Sequence, residues 1–166
     1  MSAEDCHPQG ITTIDDQLLA YFRDGVKVLG LPKSVGEIYG VLYSSPRPLT
    51  MLDLVDRLSI SKGSASQGLK MLRTLGAVRE VNLNNDRKTY FEADIELKKL
   101  VGGFIREEIR PHLKSGKEKL NALHKEAANI EDPELREFYD ERIHRLERWS
   151  GKANLVLPLL QKFLGE

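Results

Sequence analysis

Residues 49–92 read LTMLDLVDRLSISKGSASQGLKMLRTLGAVREVNLNNDRKTYFE, the most heavily punctuated stretch of the chain. Thr50 has the chemistry of a helix N-cap, and Asp53, three positions on, sets a carboxylate against the positive end of a helix carrying Leu52, Leu54, Val55 and Leu58. Ser59, Ile60 and Ser61 break that pattern. Ser61 then caps a second helix, from about Ser61 to Leu75, with Ala65, Leu69 and Leu72 on its inner face and Gly76 supplying the left-handed residue that ends it. Beyond Gly76 the period drops toward two. Val78, Val81 and Leu83 partly alternate with Arg79 and Asn82, Asn84 to Asp86 turn, and Lys88 to Glu92 returns as a second strand, which predicts a β-hairpin with a polar tip. Two short helices joined by a few residues and followed by a hairpin make the winged form of the helix-turn-helix.

Outward from this segment the pattern is helical on both sides. Before it, Ile14, Leu18, Leu19, Phe22, Val26 and Leu29 form one face of an amphipathic helix ended by Gly30 to Pro32, and Val35, Ile38, Tyr39, Leu42 and Tyr43 mark a second. After it, Leu97, Leu100, Val101, Phe104, Ile105 and Ile109 form an apolar stripe that Pro111 should kink or split. Asp132 and Pro133 signal a last helix, with Pro158 an expected bend. The expected fold class is therefore mostly α with a small β-wing: a winged helix-turn-helix with long N- and C-terminal dimerisation helices. The expected divisions are a flexible N-terminus (1–12), N-terminal helices (13–45), a winged lobe (46–94) and a C-terminal helical region (95–166). The apolar stripes after Ile95 exceed what one small winged lobe needs, and their surplus predicts a twofold interface with a second copy.

The second helix of the motif is informative in what it exposes. With Ala65, Leu69 and Leu72 inward, Lys62, Gly63, Ser66, Gln67, Lys70 and Arg73 lie on the other side. Gly63, Ser64 and Ser66 are small enough to let a helix enter the major groove of duplex DNA, Gln67 has the donor and acceptor pair that matches adenine, and Lys62 reaches guanine or phosphate. Ser59 and Ser61 flank a helix start whose amides favour a phosphate. Arg87 and Lys88 offer cations at the wing, beside Asn84 and Asn85. The same exposed face is also what an ordinary solvated helix shows.

Composition bounds the alternatives. The chain has 166 residues, 40% hydrophobic and 30% charged, with a formal net charge of zero. From Ser59 to Lys88, however, the cations Lys62, Lys70, Arg73, Arg79, Arg87 and Lys88 face only Glu80 and Asp86, a local charge of +4 on an otherwise acidic chain. No apolar run approaches the ~20 residues of a membrane span. No charged-then-apolar leader is evident, which with the single Cys6 predicts a cytoplasmic chain without disulfides.

The stretch from Gly30 to Glu92, above all LTMLDLVDRLSISKGSASQGLKMLRTLGAVREV followed by DRKTYFEA, resembles the MarR superfamily and within it the GbsR-like branch. The most specific part is the Ser-Lys-Gly-Ser start of the second helix. The resemblance implies a dimeric bacterial regulator whose terminal helices interlock and set the spacing between two winged lobes; a symmetric dimer predicts a pseudo-palindromic operator, and repression by blocking polymerase is the expected output, although activation would need no different sequence. It places Ser61, Lys62, Gly63, Ser64, Ser66 and Gln67 in the recognition helix and Arg87 and Lys88 in the wing, and it suggests choline or a betaine as a small-molecule effector.

No catalytic, metal or cofactor motif stands out. His7, His112, His124 and His144 are scattered without HxxxH or HExxH spacing, Cys6 and His7 alone fall short of a ligand set, and no nucleophile elbow, P-loop or dinucleotide fingerprint occurs. Gly102 and Gly103 read as helix-packing residues. Tyr21, Phe22, Tyr39, Tyr43, Phe104, Phe138, Tyr139 and Trp149 either pack the core and dimer seam or include a cage for a quaternary ammonium. A winged helix that serves as an adaptor for protein partners, without touching DNA, is the competing reading of the whole chain.

Overall fold

The structure, a computed structural model, describes residues 13–83 and 86–164. The expectations for residues 1–12, including Cys6 and His7, and for Asn84 and Asn85 lie outside the described residues. The chain divides into two compact units, residues 1–97 and 98–166.

The first unit is built around helix α2 (Lys33–Ser44), with α1 (Thr13–Val28) laid against it. Their approach is set by glycine. A Cβ at Gly36 would lie 2.5 Å from the Phe22 carbonyl oxygen and 2.8 Å from the Arg23 Cα, and one at Gly40 would lie 3.1 Å from the Leu19 Cα. Between α2 and the rest come strand β1 (Leu49–Thr50), α3 (Met51–Leu58), α4 (Lys62–Thr74), β2 (Val78–Val81) and β3 (Tyr90–Ala93). Val35, Ile38, Tyr39 and Leu42 from α2, Leu54 from α3, and Ala65, Leu69 and Leu72 from α4 are buried together with Leu75 and Val78, so the helical periodicity of the sequence is the core. Each such large apolar side chain contributes about 1.5–3 kcal/mol by leaving water. Phe22, Tyr39 and Tyr43 meet ring to ring with centroids 4.9–5.8 Å apart, which makes Phe22 and Tyr39 core residues.

The wing is a three-stranded antiparallel sheet in the order β1-β3-β2, with Leu49 opposite Phe91, Val78 opposite Ala93 and Val81 opposite Tyr90. Two details differ from the sequence reading. The two-residue strand β1 was not foreseen, being too short to show alternation. The hairpin strands are also shorter than expected, leaving Leu83 and Lys88 in the connection. Asp86 accounts for the second difference: its carboxylate accepts from the Lys88 amide at 3.0 Å and from the Tyr90 hydroxyl at 2.6 Å, giving the chain a local partner in place of ladder bonds. Gly30 and Gly76 take positive φ, 69° and 73°, where the sequence ends its helices.

The second unit is helical. From Leu97 the chain runs through α5 (Leu97–Phe104), one π-helical stretch (Ile105–Ile109) and α6 (Arg110–Ala128) without leaving the helix. Pro111, expected to kink or split this segment, follows the π-helical stretch that separates α5 from α6: the helix widens just before it, with the Arg110 amide donating to the Ile105 carbonyl, and the proline stands in the first turn of α6. Gly102 and Gly103 are buried. Helix α7 (Pro133–Leu164) starts where Asp132 and Pro133 foretold, the Asp132 carboxylate accepting from the Glu134 amide at 3.0 Å, and continues past Pro158. It pairs with α6 as a helical hairpin. No helix among the described residues is long and apolar enough to cross a membrane.

Candidate nucleic-acid interface

The helix-turn-helix is positioned by its caps. At α3 the Thr50 hydroxyl accepts from the Asp53 amide at 3.2 Å while the Asp53 carboxylate accepts from the Thr50 amide at 2.7 Å, a reciprocal capping box. Burial pushes the Asp53 carboxyl up, but the hydrogen bonds from the Thr50 hydroxyl and amide, with Arg57 and Lys88 nearby, outweigh it and hold the group below the ordinary carboxylate range. Ser59 closes α3 in the left-handed region at φ 51°, which turns the chain sharply. Ser61 then caps α4, its hydroxyl accepting from the Ser64 amide at 3.0 Å.

That geometry sorts the candidate residues. Ser59, Ser61, Lys62, Gly63, Ser66, Gln67, Lys70 and Arg73 are exposed, and Ala65, Leu69 and Leu72 face the core. Gly68 is buried too, pressed so closely on α2 that a Cβ there would lie 2.4 Å from Ile38 Cδ1. Ser64 is half-buried and tied to Ser61 through both its amide and its hydroxyl, whose oxygens are 3.0 Å apart, so it holds the helix start rather than standing free at its surface. Arg73 pairs with Glu80 at 2.6 Å and Arg79 with Glu92 across the hairpin. Lys62, Lys70 and Arg87 form no ion pair among the described residues. The charge that remains available is thus concentrated at the start and middle of α4 and at the wing.

At the wing, Arg87 and Lys88 are exposed beside the turn held by Asp86. The Tyr90 hydroxyl and the Lys88 amide keep the Asp86 carboxyl below its usual range, and the same bond raises the Tyr90 hydroxyl. Asp86 was expected in the turn, but its bond to Tyr90 was not, although an Asp side chain that accepts from the backbone two residues on is what such a turn uses. Arg57, exposed in the last turn of α3, is a further cation beside the motif that sequence reasoning passed over. On α2, the Tyr39 hydroxyl donates to the Asp94 carbonyl at 2.6 Å and ties the central helix to the end of β3, while burial, with Tyr43 and Asp94 adding to it, pushes that hydroxyl well above its ordinary value.

In the second unit, α6 and α7 enclose a groove of about 440 Å³ lined chiefly by Leu123, Glu126, Tyr139, Arg142 and Leu146. The Arg142 guanidinium lies 3.3 Å from the Phe138 ring centroid and donates to the Phe138 carbonyl at 3.1 Å.

The fold is that of a winged helix-turn-helix, the fold of transcription regulators, and the exposed face of α4 with its wing is the part of that fold that meets DNA in the motif's known docking geometry. The chain is similar to the putative HTH-type transcriptional regulator YvaV of Bacillus subtilis (strain 168), with 21% identity over 164 residues, 94% of this chain and 90% of that protein. A crystal structure of a transcriptional regulator superposes with a TM-score of 0.70 at 19% identity, covering 92% of this chain and 96% of that one. No family model matches the chain.

Proposed function

We propose that this chain is a sequence-specific DNA-binding regulator of transcription, a repressor acting as a homodimer on a pseudo-palindromic operator, in the GbsR-like branch of the MarR superfamily. The observation that carries this reading is the exposed face of α4: Lys62, Gly63, Ser66, Gln67 and Lys70 stand in solvent on a helix whose other side is locked in the core. Small residues at its start admit it to the major groove, Gln67 reads a base edge, and Lys62, Lys70, Arg87 and Lys88 meet phosphates. The likeness to YvaV along nearly the whole chain supports a role in transcription.

Two copies are required by symmetric half-sites, and α7 offers the surface. Leu155, Leu159 and Phe163 recur at intervals of four along α7, with exposures of 74%, 65% and 88%, a single apolar stripe facing solvent. For the effector, Glu126 and Tyr139 in the α6–α7 groove supply a carboxylate and an aromatic ring to the quaternary ammonium of choline or a betaine.

Fluorescence anisotropy with duplex from the chain's own upstream region, beside scrambled duplex and across a salt series, tests the reading. Affinity for the upstream duplex should exceed that for the scrambled one and fall steeply between about 50 and 200 mM salt. Gln67→Ala should narrow the gap between the two duplexes, whereas Arg87→Ala should weaken both and flatten the salt slope by about one. Absence of binding at low salt would sink the DNA reading and leave the adaptor.

A further inference from the structure

Three side chains that are far apart in sequence meet on the α6–α7 hairpin. His124 on α6 faces His144 and Glu147 on α7, and one ligand atom from each lies within 4.8 Å of the others. The His124 Nε2 is 2.9 Å from Glu147 Oε1, and the two imidazoles stand edge to face with centroids 4.9 Å apart. His144 and Glu147 are three apart on one helix, so they share a face, and the hairpin brings the third group opposite them.

We propose that His124, His144 and Glu147 form a binding site for a first-row divalent cation of the zinc type, with water completing the coordination. Two imidazoles and one carboxylate suit a borderline cation, and three protein ligands leave one tetrahedral position open. The surroundings orient the ligands as such a site requires. The His144 Nδ1 is 2.8 Å from the Asp140 backbone carbonyl, a bond in which Nδ1–H donates, so the lone pair sits on Nε2, away from its own helix turn. His124 Nδ1 lies 3.9 Å from the Asp140 carboxylate, beyond hydrogen-bond distance, so when Nε2 binds a cation a closure of about an ångström gives the ring proton an acceptor. Of the cations on α7, Arg145 pairs with Glu141 and Arg142 lies over Phe138. Ligand atoms around tetrahedral zinc are about 3.4 Å apart for bonds near 2.05 Å, so a small closure of the exposed His144 side chain completes the set. The bound cation pins α6 to α7 one turn from the buried Ala127 of α6 and next to the buried Ile143 of α7. This proposal does not depend on DNA binding.

The test uses the full chain carrying Cys6→Ser and His7→Ala, so that the N-terminal thiol and imidazole are out of the count. The protein is stripped with chelator and titrated with zinc chloride against a chromogenic zinc indicator, with thermal unfolding followed in parallel. One equivalent per chain and a higher midpoint with zinc are expected. Both should vanish in His144→Ala, an exposed position whose helical circular dichroism should match the parent, and His124→Ala should behave alike. Asp140→Asn should weaken zinc about 10–100-fold by loosening His124. Failure to take up zinc at micromolar concentrations, or an equivalent that survives His144→Ala, would overturn the site and leave the His124–Glu147 hydrogen bond as a plain link between the helices.

Discussion

Ile38, Tyr39, Leu54 and Leu72 in the winged lobe have no exposed surface, whereas Trp149, Leu155, Leu159 and Phe163 along α7 are 65–88% exposed. Both sets are amphipathic helix faces, and periodicity in the sequence does not tell them apart. What differs is whether the chain itself provides the opposing surface. In the lobe, α1, α3, α4 and β3 all close on α2. In the helical unit α7 has α6 as its main neighbour, and a 32-residue helix has more faces than one shorter helix covers. The lobe thus supplies its own opposing surfaces, and the helical unit leaves an apolar stripe uncovered, which is the surface the proposed homodimer would use.

The sharpest way to break that contrast is Leu155→Glu with Leu159→Glu. Two charges in the stripe should weaken the proposed homodimer by more than about 100-fold, since each leucine buried between copies contributes about 1.5–3 kcal/mol, while the lobe's thermal transition stays in place. Sedimentation at micromolar concentration reads the first effect and calorimetry the second. A dimer that persists would move the interface off α7.

Glycines make the same comparison within folded monomers. Gly36→Ala places a methyl against the backbone of α1, which cannot shift without unseating Phe22 and Val26, and should destabilise the lobe by about 2–3 kcal/mol. Gly116→Ala on α6 meets nothing within 4 Å and should stabilise its helix by up to about 1 kcal/mol. Chemical denaturation of both variants measures the difference in sign. A smaller contrast comes from hydroxyls: Tyr39→Phe removes the part-buried hydrogen bond to the Asp94 carbonyl and should cost about 1–2 kcal/mol, whereas Tyr139→Phe, at an exposed position, should fall within about 0.5 kcal/mol of the parent.

The lobe was legible in the sequence because its signals are local. Thr50, Ser61, Gly30 and Gly76 announce helix ends by their own chemistry, and Ala65, Leu69 and Leu72 fall inward at helical spacing. The exposed side of α4 followed from the same periodicity. Strand β1 was invisible because two residues cannot alternate, and its pairing with β3 joins residues forty positions apart. The closeness of Gly68 to Ile38, the bond of Arg73 to Glu80 and the meeting of His124 with His144 and Glu147 depend on tertiary placement that spacing does not encode. At Pro111 the interruption takes the form of a π-helical widening just before it, a form that spacing alone does not specify.

The smallest expected effect concerns charge. Asp53 in the lobe and Glu141 on α7 both have carboxyls held below their ordinary range, Asp53 by the Thr50 hydrogen bonds against the opposing push of burial, Glu141 by its hydrogen bond and attraction to Arg145. A carboxyl whose folded value lies below its unfolded one adds stability at pH above the unfolded value, and that contribution disappears as pH falls through the folded value. The two should nonetheless differ in effect. The Asp53 carboxylate closes a capping box with two backbone amides, and Thr50→Ala should cost about 1 kcal/mol at neutral pH. Asp53→Asn should accordingly remove part of the loss of stability on acidification below the ordinary carboxylate range. Glu141 is fully solvated, and its pair with Arg145 is screened by water and salt, so Glu141→Gln should leave the acid limb unchanged. Unfolding midpoints from pH 7 down to pH 3 distinguish the outcomes. A flattened acid limb in Glu141→Gln but not in Asp53→Asn would mean that the helical unit, rather than the lobe, governs the chain's acid stability.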